Sequence, residues 1–260
     1  YLNSHFQTGL KNLMDRAIIS RTEKEAKEHV ILQNLDTSFQ KIDELPFDFE
    51  RRRMSVIVKD DSNVVSMVTK GALEEMLTIS THVEYRGEII PITEGIRQEV
   101  LAEVGQLNRQ GLRVLGVGYK SGLREDYAYA VTDESDMILT GYLAFLDPPK
   151  PSAAPAIQAL LEHGVKTKIL TGDNEKVTQA ICEKVGLDVE HMLLGADIDQ
   201  MTDQELAEVV EKVTVFAKLS PDQKARIILQ LKRNGHGVGY MGDGINDAPS
   251  MKVADVGISV

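Results

Sequence analysis

The sequence predicts an α/β protein built on two different sheets. Up to about residue 141, β-rich runs follow one another across short turns, as in an antiparallel sheet with added helices. Beyond that point, short β runs alternate with helical segments, the pattern of a parallel sheet with helices on both faces. We therefore expect an α+β domain over residues 1–141 and a parallel α/β domain over residues 142–260.

The composition is that of a globular protein with an acidic surface. The chain has 260 residues, 42% of them hydrophobic, which is enough for one large or two ordinary domains. A net charge of −11 argues against nucleic acid or an anionic membrane as the main partner, but not against a small phosphate ligand. The single cysteine, Cys182, predicts a reducing, cytoplasmic setting. No apolar run approaches the roughly 20 residues of a membrane-spanning helix, so we expect this chain to be soluble, whatever its parent protein is.

The first part contains two predicted helices and two predicted hairpins. Apolar spacing predicts a helix over residues 2–19, with one face made of Leu10, Leu13, Met14, Ala17 and Ile18. Hairpins are predicted around residues 60–63 and 86–87. A second helix is expected to begin after the cap Thr93 and to end at Gly111. Strands are predicted at "LRVLGVGYK" and "MILTGYLAFLD".

The second part contains a weak internal repeat. "ALLEHGVKTKILTGD" and "LQLKRNGHGVGYMGD" both run from a helix through a glycine into a strand that ends in Gly-Asp. The carboxyl ends of parallel strands lie at one edge of a sheet, where ligands bind in open α/β folds. We therefore expect the corners 171–173 and 242–244 to meet at that edge.

Oxygen-bearing side chains lie close together after the last of these strands. Asp243, Asn246 and Asp247 suit a hard cation such as Mg²⁺, which would relieve the repulsion between the two carboxylates. The chain has no His or Cys cluster that would indicate zinc. An acidic turn that caps a helix is an alternative explanation of the same residues.

The loop "TGDN" and Lys224 have the chemistry of a phosphate site. Thr171 offers a hydroxyl, Gly172 leaves its N–H accessible, and the next helix directs its positive end at the loop. An ordinary aspartate N-cap is the alternative here. Lys224 is in the first turn of a helix, where a lysine is unfavourable unless it reaches an anion. Together with a magnesium-binding edge, these are parts of a phosphoryl-transfer site.

A phosphoryl-transfer site also needs a nucleophile, and Asp147 is the candidate that position suggests. Pro148 and Pro149 follow it and remove backbone donors that would hold a transferred phosphoryl group. We therefore expect the nucleophile to lie outside this chain.

The motifs "FLDPPK", "ILTGDN", "SPDQK" and "MGDGINDAP", in this order along the chain, resemble the phosphorylation domain of P-type ATPases, which has a haloacid dehalogenase-like fold. The first part is similar to the nucleotide-binding domain inserted into it, through "LPFDFERRRMSVIV", "TKGALEEML" and "NRQGLRVLGVGYK". The resemblance covers essentially the whole chain. "LNSHFQTGLKNLMD" and "PFDFERRRMSV" look most like the bacterial magnesium-importing branch.

The resemblance implies an ATP site in the first part. Phe47 would stack on adenine, Arg52 would contact the nucleotide, and Lys70 would lie along the pocket. Gly71 would permit close approach, and Arg113 would bind the phosphate chain of ATP. Phe49 is at a position where some relatives carry an arginine.

The resemblance also implies roles in phosphoryl transfer for the second part. Residues 171–173 (Thr171, Gly172 and Asp173) would hold the γ-phosphate region. Lys224 would neutralise the transferring phosphoryl group, and Lys218 would assist near it. Mg²⁺ would be bound by Asp243 with Asp247 nearby, Asn246 would hydrogen-bond phosphate, and Asp147 would be a hinge residue.

The family's aspartyl-phosphate motif, Asp-Lys-Thr-Gly-Thr, is not in this sequence. We therefore expect the chain to bind ATP and Mg²⁺ without forming the phosphoenzyme. Its parent would be a multi-pass protein with these domains at the cytoplasmic face of the cell membrane. There it would work with an actuator domain and with membrane helices that carry a divalent cation. The alternatives are a free-standing phosphatase with Asp147 as nucleophile, an inactive nucleotide sensor, and transport of calcium or another cation.

Overall fold

The computed structural model describes residues 1–9, 11–242 and 247–259. By their internal contacts the residues form two compact units. Unit 1 comprises Tyr1–Val104 and Val114–Phe145, and unit 2 comprises Gly105–Arg113 and Leu146–Val260. The assignment of residues 1–141 and 142–260 to a nucleotide-binding and a phosphorylation domain stays a prediction. Within the described ranges, every helix is too short or too polar to cross a membrane.

The described residues in the first half of the chain form four α-helices and seven strands. In chain order they are α1 (Leu2–Phe6), α2 (Leu13–Glu25), β1 (Phe39–Leu45), β2 (Arg53–Asp60), β3 (Val65–Ala72), α3 (Leu73–Ile79), β4 (Ser80–Tyr85), β5 (Glu88–Pro91), α4 (Glu94–Arg109), β6 (Leu112–Ser121) and β7 (Met137–Leu146). Short 3₁₀ helices lie at Val30–Leu32 and Val131–Asp133.

These strands form one sheet in the order β1-β2-β3-β6-β7-β4-β5. Both predicted hairpins are confirmed, because β2 pairs antiparallel with β3 and β4 pairs antiparallel with β5. The helix predicted after Thr93 is also confirmed as α4. The sheet is mixed rather than purely antiparallel, since β4 runs parallel to β7. A parallel pair needs a long crossover, and the chain between β4 and β7 provides one that contains α4.

The prediction of one continuous helix over residues 2–19 is wrong. The chain forms α1 and α2 instead, separated by a loop in which Gly9 has a φ of 91°, a conformation that glycine adopts without strain. Asn12 then caps α2 through a hydrogen bond to the N–H of Asp15. The expected apolar face is also not a core face, because Leu13 is 74% exposed whereas the buried residue of α2 is Asp15. Leu10 lies outside the described residues.

The second half of the chain alternates helices and strands as predicted. The elements are α5 (Ala153–Glu162), β8 (Ile169–Leu170), α6 (Glu175–Lys184), β9 (Met192–Leu194), α7 (Gly195–Gln200), α8 (Asp203–Lys212), β10 (Val215–Ala217), α9 (Pro221–Arg233), β11 (Gly239–Gly242), α10 (Ala248–Val253) and β12 (Val256–Ser259). Strand β10 is fully buried, and its Phe216 packs in a core with residues of α7, α8 and α9.

The strand pairs of this half are parallel, as predicted, but they do not form one sheet in the described part of the chain. Strands β8, β10 and β9 form a three-stranded sheet with β10 in the middle, and β11 pairs with β12 in a two-stranded sheet. Both β8 and β11 are therefore edge strands here. A haloacid dehalogenase-like arrangement remains a prediction.

Candidate functional site

Two exposed phenylalanine rings lie in the turn between β1 and β2. Phe47 is 49% exposed and Phe49 is 40% exposed. Their ring centroids are 5.2 Å apart with an interplanar angle of 87°, an edge-to-face arrangement. Large apolar side chains at this exposure are available to stack on a flat ligand. Phe49 thus adds a second aromatic ring beside the predicted Phe47.

The backbone of this turn is held by hydrogen bonds within the turn. The carboxylate of Asp48 accepts from the backbone N–H of Arg51 at 2.7 Å and also from the Arg51 guanidinium. Arg51 Nη2 donates to the carbonyl of Pro46 at 2.7 Å. Burial alone would lower the pKa of Arg51, but its bonds to Glu134 and Asp48 raise the pKa above the usual value. Arg51 is therefore a permanent cation that closes the turn on itself.

Arg52 and Gly71 lie where β2 and β3 approach each other. Arg52 has a φ of 50°, and its carbonyl accepts the N–H of Ala72 at 3.0 Å. A Cβ added at Gly71 would lie 2.5 Å from Cβ of Arg53 and 2.7 Å from O of Arg52. Glycine is therefore required here by the neighbouring strand itself, whatever its relation to a ligand.

Lys70 is buried beneath the N-terminal helices of unit 1. Its ammonium group donates to Ser4 Oγ at 3.0 Å, to Gln7 Oε1 at 3.2 Å and to the carboxylate of Asp15. Burial lowers the pKa of Lys70, and the charge of Asp15 offsets this only in part. Burial alone would raise the pKa of Asp15, but Lys70, Ser4 and Gln7 together lower it. The predicted pocket lysine is thus already neutralised by a carboxylate.

In unit 2, the loop "TGDN" follows β8 and leads into α6. The alternative explanation of this loop was that Asp173 caps the helix, and the structure does not show that cap. Asn174, not Asp173, caps α6, accepting from the N–H groups of Lys176 and Val177. Thr171 Oγ1 accepts from the N–H of Asp173 at 3.1 Å. The carboxylate of Asp173 is therefore available for a charged partner.

That partner is Arg113, which lies between two carboxylates. Its Nη1 donates to Asp147 Oδ2 at 2.7 Å, and its Nη2 donates to Asp173 Oδ2 at 2.9 Å. The side chain of Arg113 remains 35% exposed. A guanidinium group at this exposure has a fork of N–H donors that can bind a phosphate as well as a carboxylate.

The loop after β10 connects the β8 loop to helix α9. The N–H of Lys218 donates to the carbonyl of Asp173 at 2.8 Å, and the N–H of Leu219 donates to that of Thr171 at 3.0 Å. Lys218 has a φ of 53°, and its ammonium group lies 3.1 Å from Glu175 Oε2. Two predicted phosphate-binding segments are therefore joined at the carboxyl ends of neighbouring strands.

Lys224 reaches an anion, as its unfavourable helix position requires. Its Nζ donates to Asp247 Oδ1 at 2.8 Å, and Tyr240 donates to the same oxygen at 2.7 Å. Asp247 is largely buried. The pair brings the first turn of α9 next to the start of α10, so the predicted phosphate-binding lysine and one predicted magnesium ligand are neighbours.

Of the two predicted magnesium ligands, Asp247 lies among the described residues. Asp243 and Asn246 lie outside the described residues. Within residues 1–9, 11–242 and 247–259, no group of three His, Cys, Asp or Glu side chains could hold a metal ion. The carboxylate of Asp247 has the oxygen chemistry that Mg²⁺ prefers, and Lys224 beside it suits phosphate, so the donor types fit magnesium phosphate chemistry.

Sequence reasoning missed two acidic residues, one that pairs with a predicted site residue and one that binds two arginines beside the predicted aromatic turn. Asp15 neutralises Lys70, and Glu134 binds Arg51 and Arg53 next to the phenylalanine turn. Asp15 is separated from its partner by 55 residues and Glu134 from Arg51 by 83. For Asp15, the only sequence signal of its role was an aspartate on an otherwise apolar helix face. For Glu134, the sequence offered no signal.

A family model and several relatives that match this chain all carry the name of P-type ATPases. The sequence pattern of the family described as "P-type ATPase, cytoplasmic domain N" matches residues 7–152. The chain is 50% identical over its whole length to the "Magnesium-transporting ATPase, P-type 1" of Salmonella typhimurium. The protein of the same name from Escherichia coli K12 is 49% identical, also over the whole chain.

A further relative carries the name of another ion. "Calcium-transporting ATPase 1" of Bacillus cereus is 32% identical over 99% of this chain. The chain spans 28% of the length of these three relatives.

Proposed function

This chain belongs to the P-type ATPase family, as its motifs predict, and from that premise we propose that it is the ATP-binding and phosphoryl-transfer part of a cation-transporting member. Magnesium is the proposed transported ion, because the relatives that are half identical to the chain carry magnesium in their names. Calcium is the alternative ion, and the lower identity of the calcium-named relative disfavours it.

The observation that carries the proposal is the exposed aromatic turn of unit 1. Phe47 and Phe49 present two rings to solvent on a turn that Asp48 and Arg51 hold in shape. Rings beside guanidinium groups suit a purine base with its negatively charged phosphates. Arg52 would contact the nucleotide, while Lys70 and Gly71 would form the pocket wall behind it. Asp15, which pairs with Lys70, would fix the position of Lys70 in that wall.

Unit 2 would provide the groups that act on the phosphates. The hydroxyl of Thr171 and the backbone of Gly172 and Asp173 would orient the γ-phosphate. Lys224 and Lys218 would neutralise charge as the phosphoryl group leaves. In this role Lys224 would share its ammonium group between Asp247 and a phosphate oxygen.

The remaining roles concern metal, phosphate chain and hinge. Asp243 and Asp247 would hold Mg²⁺, which when bound supplies positive charge to the phosphate oxygens. Asn246 would hydrogen-bond phosphate.

Arg113 would bind the phosphate chain by exchanging the carboxylate of Asp173 or Asp147 for a phosphate oxygen. Asp147 would act as a hinge residue.

The phosphoryl acceptor is proposed to be an aspartate in another segment of the parent protein. This proposal is supported by apolar side chains of unit 2 that are exposed to solvent in the described part of the chain. Helix α5 has no buried residue although it is rich in Ala and Leu, and β12 is exposed along its length. The large exposed apolar residues in the described part of unit 2 are Leu146, Leu160, Leu161, Val165, Leu229, Met241, Val256 and Ile258. A further segment that covers them would also find open edges at β8 and β11.

In the cell, the chain would belong to a multi-pass protein at the cytoplasmic face of the membrane. It would act with an actuator domain, and membrane helices would carry the ion. Two other functions are less well supported. A free-standing phosphatase would need Asp147 as nucleophile, but Asp147 is paired with Arg113 and followed by two prolines. An inactive nucleotide sensor would bind ATP without any acceptor in its parent.

The test is ATP binding to the chain measured by calorimetry. We expect Phe47→Ala to weaken binding about tenfold or more, because stacking on a base contributes about 1–3 kcal/mol. Lys70→Ala should weaken binding as well. Tyr85→Ala is the matched control, since Tyr85 is an exposed aromatic on the β4–β5 hairpin. If Phe47→Ala and Lys70→Ala bind ATP as tightly as the unchanged chain, the assignment of the pocket is wrong.

A further inference from the structure

We propose that Glu134 is a positioning residue that preforms the phenylalanine turn, residues 46–52, for a nucleotide base. The inference rests on the proposed function, because it assigns to Glu134 the shape of the surface on which that base would stack. Glu134 follows the 3₁₀ helix Val131–Asp133 and is distant in sequence from the turn it would control.

The carboxylate of Glu134 is completely buried and fully bonded. Its Oε2 accepts from Arg51 Nη1 at 2.5 Å and from Arg53 Nε at 2.8 Å. Its Oε1 accepts from Ser55 Oγ at 2.7 Å, and Ser55 in turn shares a hydrogen bond with Thr69 on β3. The anion is therefore anchored to the neighbouring strands β2 and β3, and its side chain does not reach solvent.

The two arginines need this anion in order to lie side by side. Arg51 and Arg53 are only 15% and 13% exposed, and both approach the same oxygen atom. Two guanidinium cations at that separation repel each other unless a negative charge lies between them. Asp48 alone cannot do this, because it bonds Arg51 from the turn side and is itself half-exposed.

Arg51 transmits the position of Glu134 to the aromatic rings. One nitrogen of its guanidinium contacts Glu134, another bonds the carbonyl of Pro46, and a third contacts Asp48. Pro46 and Asp48 flank Phe47 directly. The planar, rigid guanidinium group thus joins the buried carboxylate to both neighbours of the stacking ring.

A turn fixed in this way binds a flat ligand without first having to be ordered. Ordering a loop on binding lowers affinity, so a preformed turn binds more tightly than a mobile one with the same side chains. Removing the charge of Glu134 should therefore loosen the turn and weaken ligands that carry a base, while ligands that carry only phosphates are unaffected.

The experiment uses a reporter that this sequence makes possible. The chain contains no tryptophan, so Phe49→Trp places a single fluorescent ring in the turn. In that background we compare Glu134→Gln and Glu134→Asp with Glu125→Gln, which alters an exposed ion pair with Lys59 in the same unit. The measurements are acrylamide quenching of the tryptophan without ligand, and the affinities for ATP and for inorganic tripolyphosphate.

We expect Glu134→Gln to increase acrylamide quenching and to weaken ATP binding about tenfold, with tripolyphosphate binding unchanged. Glu134→Asp keeps the charge and should recover part of the loss, and Glu125→Gln should behave like the parent. If Glu134→Gln does not fold, Arg51→Gln is the second variant, because it cuts the link to the turn while Arg53 and Ser55 still hold Glu134. It should show the same two effects.

Three results would overturn the inference in distinguishable ways. Unchanged quenching and ATP affinity in Glu134→Gln would show that the turn does not depend on Glu134, and the proposed function would stand. Equal losses for ATP and tripolyphosphate would show that the substitution does not act through the base-binding turn, whatever the change in quenching. Failure of the parent chain to bind ATP would remove the proposed function and the positioning role together.

Discussion

Unit 1 and unit 2 each contain a charged group that lies between two groups of the opposite charge, and the signs of the charges are reversed between the two clusters. In unit 1 the carboxylate of Glu134 lies between Arg51 and Arg53. In unit 2 the guanidinium of Arg113 lies between Asp147 and Asp173. The central group is completely buried in the first cluster and 35% exposed in the second.

This difference in exposure separates a structural cluster from one that can exchange partners. A buried ion has no water to replace a lost partner, so its bonds are strong constraints on the surrounding chain. A half-exposed ion pair contributes little to stability because water and salt compete for it. We therefore interpret the Glu134 cluster as a fixed support and the Arg113 cluster as a place where a ligand anion can enter.

The largest expected effect comes from removing the central charge of the buried cluster. Glu134→Ala should lower the free energy of unfolding by about 3–5 kcal/mol, since it removes the buried anion that lies between two guanidinium groups. Urea denaturation measures this change. Combining it with Arg53→Ala should cost less than the sum of the two single changes. Strict additivity of the two would contradict the view that they form one cluster.

The second expected effect concerns Asp15 and Lys70, a buried ion pair with one carboxylate and one ammonium group. Asp15→Asn should lower the free energy of unfolding at pH 7 by about 2–3 kcal/mol, because the neutral amide leaves Lys70 without a counter-charge.

This second effect should depend on pH in a defined direction. The folded-state pKa of Asp15 is lowered, so its contribution is complete above the unfolded-state pKa of about 3.9 and is lost as the pH falls through the lower folded-state pKa. Unfolding experiments between pH 7 and acid should show the difference between the parent and Asp15→Asn shrinking below about pH 4. A difference that is constant down to the lowest pH would exclude the ionised pair.

The smallest expected effect on stability comes from the exposed cluster. Arg113→Gln should change the free energy of unfolding by about 0–1 kcal/mol, and 1 M salt should abolish most of that change. The effect of Glu134→Ala should survive the same salt. The comparison fails if Arg113→Gln proves as destabilising as Glu134→Ala, or as resistant to salt.

The sequence predicted those helices and strands that begin or end at a recognisable turn or cap residue. The hairpins at residues 60–63 and 86–87 and helix α4 follow from nearby turn and cap residues. Thr202 caps α8 through a capping box with Glu205, a signal that spans only four residues. In contrast, the apolar spacing of residues 10–18 favours one continuous helix, whereas Gly9 and Asn12 break the chain into α1 and α2.

The candidate site divides in the same way. The motifs identified Phe47, Thr171, Asp173 and Lys224 as members of a pattern, but not their partners. Asn174 rather than Asp173 caps α6, and this choice leaves Asp173 to Arg113. Such a choice depends on a residue 60 positions away, which no local pattern contains.

The sequence by itself determined the family, the order of the motifs and the positions of most turns, because these depend on residue identity within short segments. Only the tertiary structure decided which charges are buried and paired. Burial is set by segments that meet from distant parts of the chain, as Glu134 meets Arg51 and Asp15 meets Lys70. The cost of desolvating a charge without a partner then makes those pairings, rather than any local preference, the constraint that fixes the candidate site.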